Sequence, residues 1–409
     1  MRVSTGEATD GTVLPAGSPV EVLLAFLKLG LTCFGGPIAH IGYFRDDFVV
    51  RRRWLDETTY ADLVALCQFL PGPASSQVGF SIGLMRAGYV GGLAAWTGFT
   101  LPSAVLLVLF AYGAGSLGGA VGGGLLHGLK LVAVAIVAQA VVGMARTLCH
   151  DRPRASIASV AALIVLLASS SIAQIVAIAC GAGAGLILCR GPGAQVSGGL
   201  PIRVSRRAGS AALAGFALLL VGLPLLRGVT DSQWLGLFDA FYRSGALVFG
   251  GGHVVLPLLR EAFVVPGWVS DEAFLAGYGA AQAVPGPLFT FAAYLGAVAE
   301  PTRSLAGAAL GLLGIFLPGM LVLLGTLPWW SGLRRRAGAQ AAMRGVNAAV
   351  VGILGAALYN PVWTTSVRGP ADFAIALIGF VLLQVWRAPP LVVVVLSACG
   401  GMASSLVAQ

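Results

Sequence analysis

The tripeptide Pro-Gly-Pro occurs twice in this sequence, each time shortly after a glutamine and inside a long apolar stretch. The first copy is Pro71-Gly72-Pro73, and the second, 214 positions later, is Pro285-Gly286-Pro287. A helix cannot continue through such a tripeptide, because both prolines lack a backbone donor and the glycine loosens the turn between them. The second proline can nevertheless open a new helix, because the first helical N–H has no partner anyway. We therefore expect a broken helix at both places.

The two copies belong to a duplication that covers most of the chain. The positions that match at offsets of 214 to 216 are Phe34-Gly35-Gly36 with Phe249-Gly250-Gly251, Arg45 with Arg260, Asp46 with Glu261, Phe48 with Phe263, Trp54 with Trp268, Tyr60 with Phe274, Gln68 with Gln282, and Leu101-Pro102 with Leu317-Pro318. An offset that drifts by one residue at a time indicates single-residue insertions in a true repeat.

The composition restricts the chain to the membrane. It is 57% apolar and 10% charged, whereas soluble domains carry roughly 25% charged residues. We predict an all-α polytopic membrane protein in contact with the lipid bilayer. The net charge of +9 fits arginines that hold loops in the cytoplasm. No basic run is interleaved with aromatic residues, so nucleic-acid binding is not supported. The cysteines show no C-x-x-C spacing, and we expect neither a metal nor a cofactor.

Four segments of each half are too short to span a bilayer. In the first half they cover residues 20–35, 38–50, 56–70 and 74–86, and a spanning helix needs about 20 residues. We interpret them as two re-entrant helical hairpins whose tips, Phe-Gly-Gly and Pro-Gly-Pro, lie inside the membrane. The corresponding hairpins of the second half cover 235–264 and 270–299. The predicted full-length spans are 88–113, 125–145, 155–171, 173–189, 209–226, 304–328, 340–359, 371–386 and 389–407.

Loop charges predict that the two repeats have inverted topology. Arg51, Arg52 and Arg53 follow the first hairpin, whereas the matching segment 264–267 carries no charge. The uncharged loop 114–126 corresponds to a loop with four arginines, Arg334, Arg335, Arg336 and Arg344. Positive loops stay in the cytoplasm, so equivalent loops face opposite sides. The predicted division is a cytoplasmic tail 1–19, a first repeat 20–146, linking spans and a cytoplasmic loop 147–234, a second, inverted repeat 235–360, and C-terminal spans 361–409.

The tips are the predicted substrate site. The amides of Ala74, Ser75 and Ser76 lie in the first turn after Pro73, where helix amides lack intrahelical partners and bind anions. Less polar residues occupy this place in the second half. The predicted substrate-binding residues at the tips are Gly35, Gly36, Gln68, Pro71, Gly72, Pro73, Ala74, Ser75, Ser76 and Gln77 in the first half, and Gly250, Gly251, Gln282, Pro285, Gly286 and Pro287 in the second.

Cations inside apolar helices complete the predicted anion site. Lys28 and Arg243 lie at equivalent positions, six residues before the Phe-Gly-Gly tips, and Lys130 opens a span in which Asn347 takes the matching place. A cation at the centre of a membrane helix costs about 2.5–3.5 kcal/mol, which favours a functional role. We predict that all four bind substrate. The alternative is an interfacial anchor whose charge reaches the headgroups.

A gate or a coupling site is predicted beside the tips. Arg45 and Arg260 are each followed by an acid, Asp46 and Glu261, and each can form an intrahelical pair that faces a loop or a gate. His40 and His253 lie near the tips at non-equivalent positions. They are proton-relay candidates, although a lone histidine more often caps a helix or donates a structural hydrogen bond.

These motifs together resemble the chromate ion transporter family. The residues that carry the resemblance are Phe26-Leu27-Lys28-Leu29-Gly30, Phe34-Gly35-Gly36-Pro37, Ala39-His40, Trp54-Leu55, Gln68 and Pro71-Gly72-Pro73, and in the second half Phe249-Gly250-Gly251-Gly252 and Pro285-Gly286-Pro287. The second half resembles the second domain of the family's long form. The resemblance implies a multi-pass protein of the bacterial inner membrane that exports chromate, with sulfate as the natural competitor.

The driving force and several alternative functions can be judged from the sequence. Export of a dianion needs no ATP, since a cytoplasm-negative potential favours it by about 2.3 kcal/mol per charge per 100 mV. A proton gradient is the alternative driving force. A membrane enzyme is not supported, because the sequence has no H-E-x-x-H, G-x-S-x-G or Walker motif. A sulfate or other oxyanion carrier and an anion channel stay open, as does a homodimeric state.

Overall fold

The computed structural model describes residues 17–34, 36–114, 119–168, 171–190, 200, 202, 204–249, 252–333 and 335–407. Within these ranges the chain consists of helices and connecting loops and contains no strand. The predicted site residues Gly35, Gly250 and Gly251 lie outside the described residues, and so do residues 1–16 of the predicted tail. The all-helical prediction is confirmed.

The described part of the first half contains seven α-helices, which are α1 (Pro19–Thr32), α2 (Gly36–Phe44), α3 (Glu57–Phe69), α4 (Ala74–Ala114), α5 (Gly119–Leu148), α6 (Arg152–Ala168) and α7 (Ser171–Leu188). Helix α2 continues as a π-helical stretch, Arg45–Arg51. The breaks after α1 and α3 coincide with the predicted hairpin tips. Helix α4 has non-helical backbone at Ala87 and at Gly88, whose φ is +66°. It therefore consists of the predicted second hairpin arm followed by a long span.

Helix α8 (Arg206–Arg227) follows in the chain and precedes the second half. The helices of the second half are α9 (Gln233–Ala246), α10 (Val255–Phe263), α11 (Asp271–Ala283), α12 (Phe291–Val298), α13 (Leu305–Thr326), α14 (Trp330–Leu333), α15 (Ala337–Ala357), α16 (Thr364–Ser366), α17 (Pro370–Gln384) and α18 (Pro390–Val407). Short 3-10 turns, Gly252–Val254 and Leu288–Thr290, precede α10 and α12. Among the described residues, five segments are long and apolar enough to cross a membrane, and they include all of α8, α13 and α15 and most of α4 and α5.

The duplication is visible in local structure as well as in sequence. Asp56 caps α3 by accepting a hydrogen bond from the Thr59 amide at 2.9 Å. Its repeat equivalent, Ser270, caps α11 by accepting from the Ala273 amide at 3.2 Å. A side-chain oxygen at this position pairs an amide that the helix itself cannot satisfy. The same capping position therefore starts the same hairpin arm in both halves.

The two halves exchange their last helices. Helices α6 and α7 of the first half pack on α15 of the second, and α17 and α18 pack on α5 of the first. Close approach depends on small residues: Gly181 and Gly185 of α7 lie against Gly345 of α15, as expected for helices that pack within lipid. The predicted boundaries at 146 and 360 stay a prediction.

Candidate functional site

The four hairpin tips meet and are joined by hydrogen bonds that cross between the halves. The Gly72 amide donates to the Val248 carbonyl at 2.8 Å, and the Gly286 amide donates to the Cys33 carbonyl at 2.9 Å. Cys33 and Val248 are themselves repeat equivalents, each directly before a Phe-Gly-Gly. Each Pro-Gly-Pro is therefore bonded to the residue that precedes the Phe-Gly-Gly of the other half, an arrangement with approximate twofold symmetry.

Both Pro-Gly-Pro tips require glycine at their centre. Gly72 has a φ of +114° and Gly286 a φ of +103°, a region that other residues rarely adopt. A Cβ on Gly72 would lie 2.8 Å from Cα of Gly319, and a Cβ on Gly286 would lie 2.8 Å from Oγ of Ser103. Gly319 and Ser103 are again repeat equivalents. Each tip therefore sits closely on the long helix of the other half.

Buried polar side chains surround the first tip. Ser75, Ser76 and Gln77 are at most 3% exposed. The Gln77 amide nitrogen donates to the carbonyls of Pro71 at 2.9 Å and Gly319 at 2.8 Å, so its donors hold the tip and are not free for an anion. His40 is also buried, and its Nδ1 lies 3.5 Å from Oγ of Ser75. Oγ of Ser76 has no hydrogen-bond partner in the described part of the chain.

The second tip is apolar by comparison. Leu288 and Phe289 are buried where the first tip has Ala74 and Ser75, and the Thr290 hydroxyl is engaged with the Pro287 carbonyl at 2.7 Å. Of the two matched glutamines, Gln68 is exposed. The amide nitrogen of Gln282 is buried and lacks a partner among the described residues. Of the residues just after the two tips, the one hydroxyl without a partner in the described chain is that of Ser76, at the first tip.

A cleft of about 670 Å³ opens beside α5, α11 and α12. Lys130 lines it, is 5% exposed and forms no ion pair within the described ranges. The charged groups that act on it are Arg368, Glu272 and Asp372. Its lining also includes Gly267 and Trp268, which lie in or beside the loop predicted to face away from the cytoplasm. Lys130 is thus a buried cation at the wall of an open cleft. Its repeat equivalent Asn347 is half-buried, and its Oδ1 has no partner among the residues that the structure describes.

The other predicted cations lie at the outside of the bundle. Lys28 is exposed on the face of α1 that also exposes Leu24 and Leu31. Arg243 is 44% exposed and pairs with Asp239 at 2.9 Å. Asp239 is fully buried and also pairs with Arg227 at 3.3 Å. The structure therefore does not bring Lys28 and Arg243 together with Lys130, and their role in binding stays a prediction.

The two arginines of the predicted intrahelical pairs also form contacts between hairpin arms. Arg45 lies 3.8 Å from Asp46 and 2.8 Å from Glu57 at the start of α3. Arg260 pairs with Asp271 at the start of α11 at 3.0 Å. These additional partners were not predicted, but they were visible in the repeat, because Glu57 and Asp271 keep an acid at equivalent positions. The role of Arg45, Asp46, Arg260 and Glu261 in a gate stays a prediction.

The second predicted relay histidine has a local partner. His253 Nδ1 lies 2.7 Å from the Tyr278 hydroxyl, next to the second tip. This contact supports the structural alternative that the sequence left open. His40, whose Nε2 is buried without a partner in the described ranges, stays a relay candidate.

Broken helices that meet at the centre of a two-fold repeated apolar bundle define a polytopic membrane transport protein. The chain belongs to the chromate transporter family, since the model of that family, described as "Chromate transporter", matches residues 20–186 and 235–402. This is a family of transporters and not of enzymes.

Individual relatives agree with this assignment. The chain is 29% identical over 402 residues to the chromate transport protein of Pseudomonas aeruginosa, covering 96% of this chain and 94% of that one. It is 26% identical to a probable chromate transport protein of Synechococcus elongatus, covering 95% and 96%. An uncharacterized transporter of Bacillus subtilis matches at 36% over 171 residues, which is 39% of this chain and 83% of that protein. No solved structure matches the chain.

Proposed function

We propose that this protein is a secondary transporter that exports chromate from the bacterial cytoplasm across the inner membrane. The observation that carries the proposal is the crossed junction of the four tips, where Gly72 binds Val248 and Gly286 binds Cys33. A junction of broken helices between inverted repeats is where transporters of this architecture bind their substrates. Several relatives are named as chromate transport proteins.

The substrate contacts are assigned mainly to the first tip. Ala74, Ser75 and Ser76 supply first-turn amides, which are suited to a tetrahedral oxyanion, and Ser76 supplies a hydroxyl without another partner in the described chain. At the second tip, Pro285, Gly286 and Pro287 contribute backbone groups and the shape of the binding site. In this proposal Lys130 lines the route by which the anion leaves this centre through the cleft.

The membrane potential is the proposed driving force. With the cytoplasm negative, exit of a dianion is favoured by about 4.6 kcal/mol per 100 mV, since each charge contributes about 2.3 kcal/mol. Coupling to a proton gradient is the alternative, and measuring chromate flux at a fixed potential with and without a pH gradient separates the two.

Uptake of labelled chromate into inverted vesicles tests this function. Saturable uptake that depends on an inside-positive potential is expected, because the cytoplasmic face of such vesicles points outward. Unlabelled sulfate measures specificity, since two tetrahedral dianions of similar size differ only where a contact differs. Sulfate that competes better than chromate would identify a sulfate carrier. Flux that does not saturate and shows no counter-transport would identify a channel.

A further inference from the structure

Beside Lys130 lies a buried histidine–carboxylate pair that the proposed function does not use. Nε2 of His127 is 2.8 Å from Oδ1 of Asp372, and the two side chains are 16% and 11% exposed. Oδ2 of Asp372 accepts from the Arg368 amide at 2.9 Å. His127 precedes Lys130 by three residues on α5, so both lie on one face, and both line the cleft.

The hydrogen bond determines where this histidine takes up a second proton. A carboxylate only accepts, so Nε2 carries the proton of the neutral ring. The added proton therefore goes to Nδ1, which is buried and has no partner among the described residues. A buried N–H without an acceptor is costly. The negative charge of an oxyanion in the cleft would offset part of this cost.

The charges around the cleft make this protonation consequential. Lys130, Arg303 and Arg368 are basic, whereas Glu272, Glu300 and Asp372 are acidic. With a neutral His127 these six charges cancel, and with a protonated His127 one positive charge remains. Helix α18 also packs on α5, but Pro390–Val407 carries no charged side chain. The cleft therefore attracts a divalent anion through its net charge when His127 is protonated, and it has no net charge to do so when His127 is neutral.

We propose that the His127–Asp372 pair is a proton-binding element that raises the affinity of the Lys130 cleft for divalent oxyanions. This inference rests on the proposed oxyanion transport and adds its regulation by pH. Histidine changes charge between about pH 5 and 8. Protonation and anion binding support each other, so affinity is high on the acid side of that range and falls as the pH rises. The linkage is reciprocal, and anion binding therefore takes up protons.

Sulfate binding to the purified full-length chain tests the linkage. Sulfate stays a dianion from pH 5.5 to 8.5, which removes the titration of chromate itself from the measurement. Binding is measured by equilibrium dialysis at constant ionic strength. The wild type is expected to bind sulfate about tenfold more tightly at pH 5.5 than at pH 8.5, within the range typical of coupled sites. A constant affinity across this range overturns the proposal.

Three variants separate the linkage from a structural role of the pair. His127→Gln is expected to abolish the pH dependence, and His150→Gln, an exposed histidine just after α5, is expected to retain it. Asp372→Asn leaves the cleft with a positive charge at every pH, so it should bind sulfate more tightly than the wild type at pH 8.5. Retained pH dependence in His127→Gln, or weaker binding by Asp372→Asn in a chain that elutes as the wild type does, overturns the proposal.

The same preparation distinguishes this failure from failure of the transport proposal. Chromate uptake by the wild type in vesicles at pH 8 depends on the proposed function alone. Uptake together with a flat sulfate profile would reject only the proton linkage. Neither chromate uptake nor anion binding at any pH would reject the oxyanion transporter and the linkage with it.

Discussion

Replacing Lys130 by methionine should make the protein more stable and at the same time less able to move anions. The side chain is 5% exposed and has no ion pair in the described chain, so its charge is held away from water. Glu272 and Asp372 offset part of this cost, and Arg368 adds to it. A buried charge without a partner is costly, and even a buried ion pair can often be replaced by well-packed apolar side chains with no loss or with a gain of about 1–4 kcal/mol. We expect about 1–3 kcal/mol here, the lower part of that range, because the cleft admits some water.

Thermal unfolding of the purified chain in detergent measures this effect, with and without chromate. The variant should unfold a few degrees above the wild type and lose most of the additional stabilisation by chromate. In the wild type that stabilisation should reach about 2.7 kcal/mol at one hundred times Kd. Lys28→Met is the matched control, because the ammonium of Lys28 is exposed and its removal should not stabilise. A Lys130→Met protein that is less stable than the wild type, or that transports chromate normally, would refute the reasoning.

Three further predictions follow from the tips and the topology. Gly72→Ala should lower the free energy of unfolding by roughly 2–6 kcal/mol, because it combines backbone strain with overpacking. Gly88→Ala is the control, because Gly88 also has a positive φ but an added Cβ would contact no described atom; it should cost distinctly less in the same unfolding assay. Lys28→Ala and Arg243→Ala should each lower chromate transport. The amount of protein in the membrane should stay normal, because removing a charged side chain eases insertion. Full transport by both variants would identify the two residues as interfacial anchors. A cysteine at position 52 should resist labelling from outside intact cells, and labelling there would contradict the predicted inversion.

Much of the fold was predictable because the local sequence determines where the helices break. Pro-Gly-Pro cannot continue a helix, so the ends of α3 and α11 could be placed from residues 71 and 285 alone. The break in α4 at Ala87 and Gly88 was predicted from the short segment that ends at Arg86. The contacts across the junction were not predictable in this way. Cys33 and Gly286 lie far apart in the chain, and no local pattern specifies that each tip binds the opposite half.

The cleft could be predicted only in part. Lys130 was found because a cation in an apolar span is unusual, and Asp372, in the predicted span 371–386, carried the same signal but was overlooked. His127, Arg303 and Arg368 were not predicted as site residues, because they come from separate segments and meet only when α17 packs on α5. Gly319 and Ser103, which contact the two Pro-Gly-Pro tips, could have been predicted from the repeat, because it keeps a small residue at both equivalent positions.

The apparent KM for chromate of Ser76→Ala in inverted vesicles tests the central proposal, that the oxyanion binds at the first tip. Oγ of Ser76 is buried without a partner in the described chain, so its removal should not weaken the fold. A hydrogen bond to a charged group contributes about 1.5–3 kcal/mol, and the KM should therefore rise about tenfold or more. Ser81→Ala, a buried serine five residues further along α4, should leave the KM unchanged. An unchanged KM in a normally inserted Ser76→Ala protein would contradict binding at this tip.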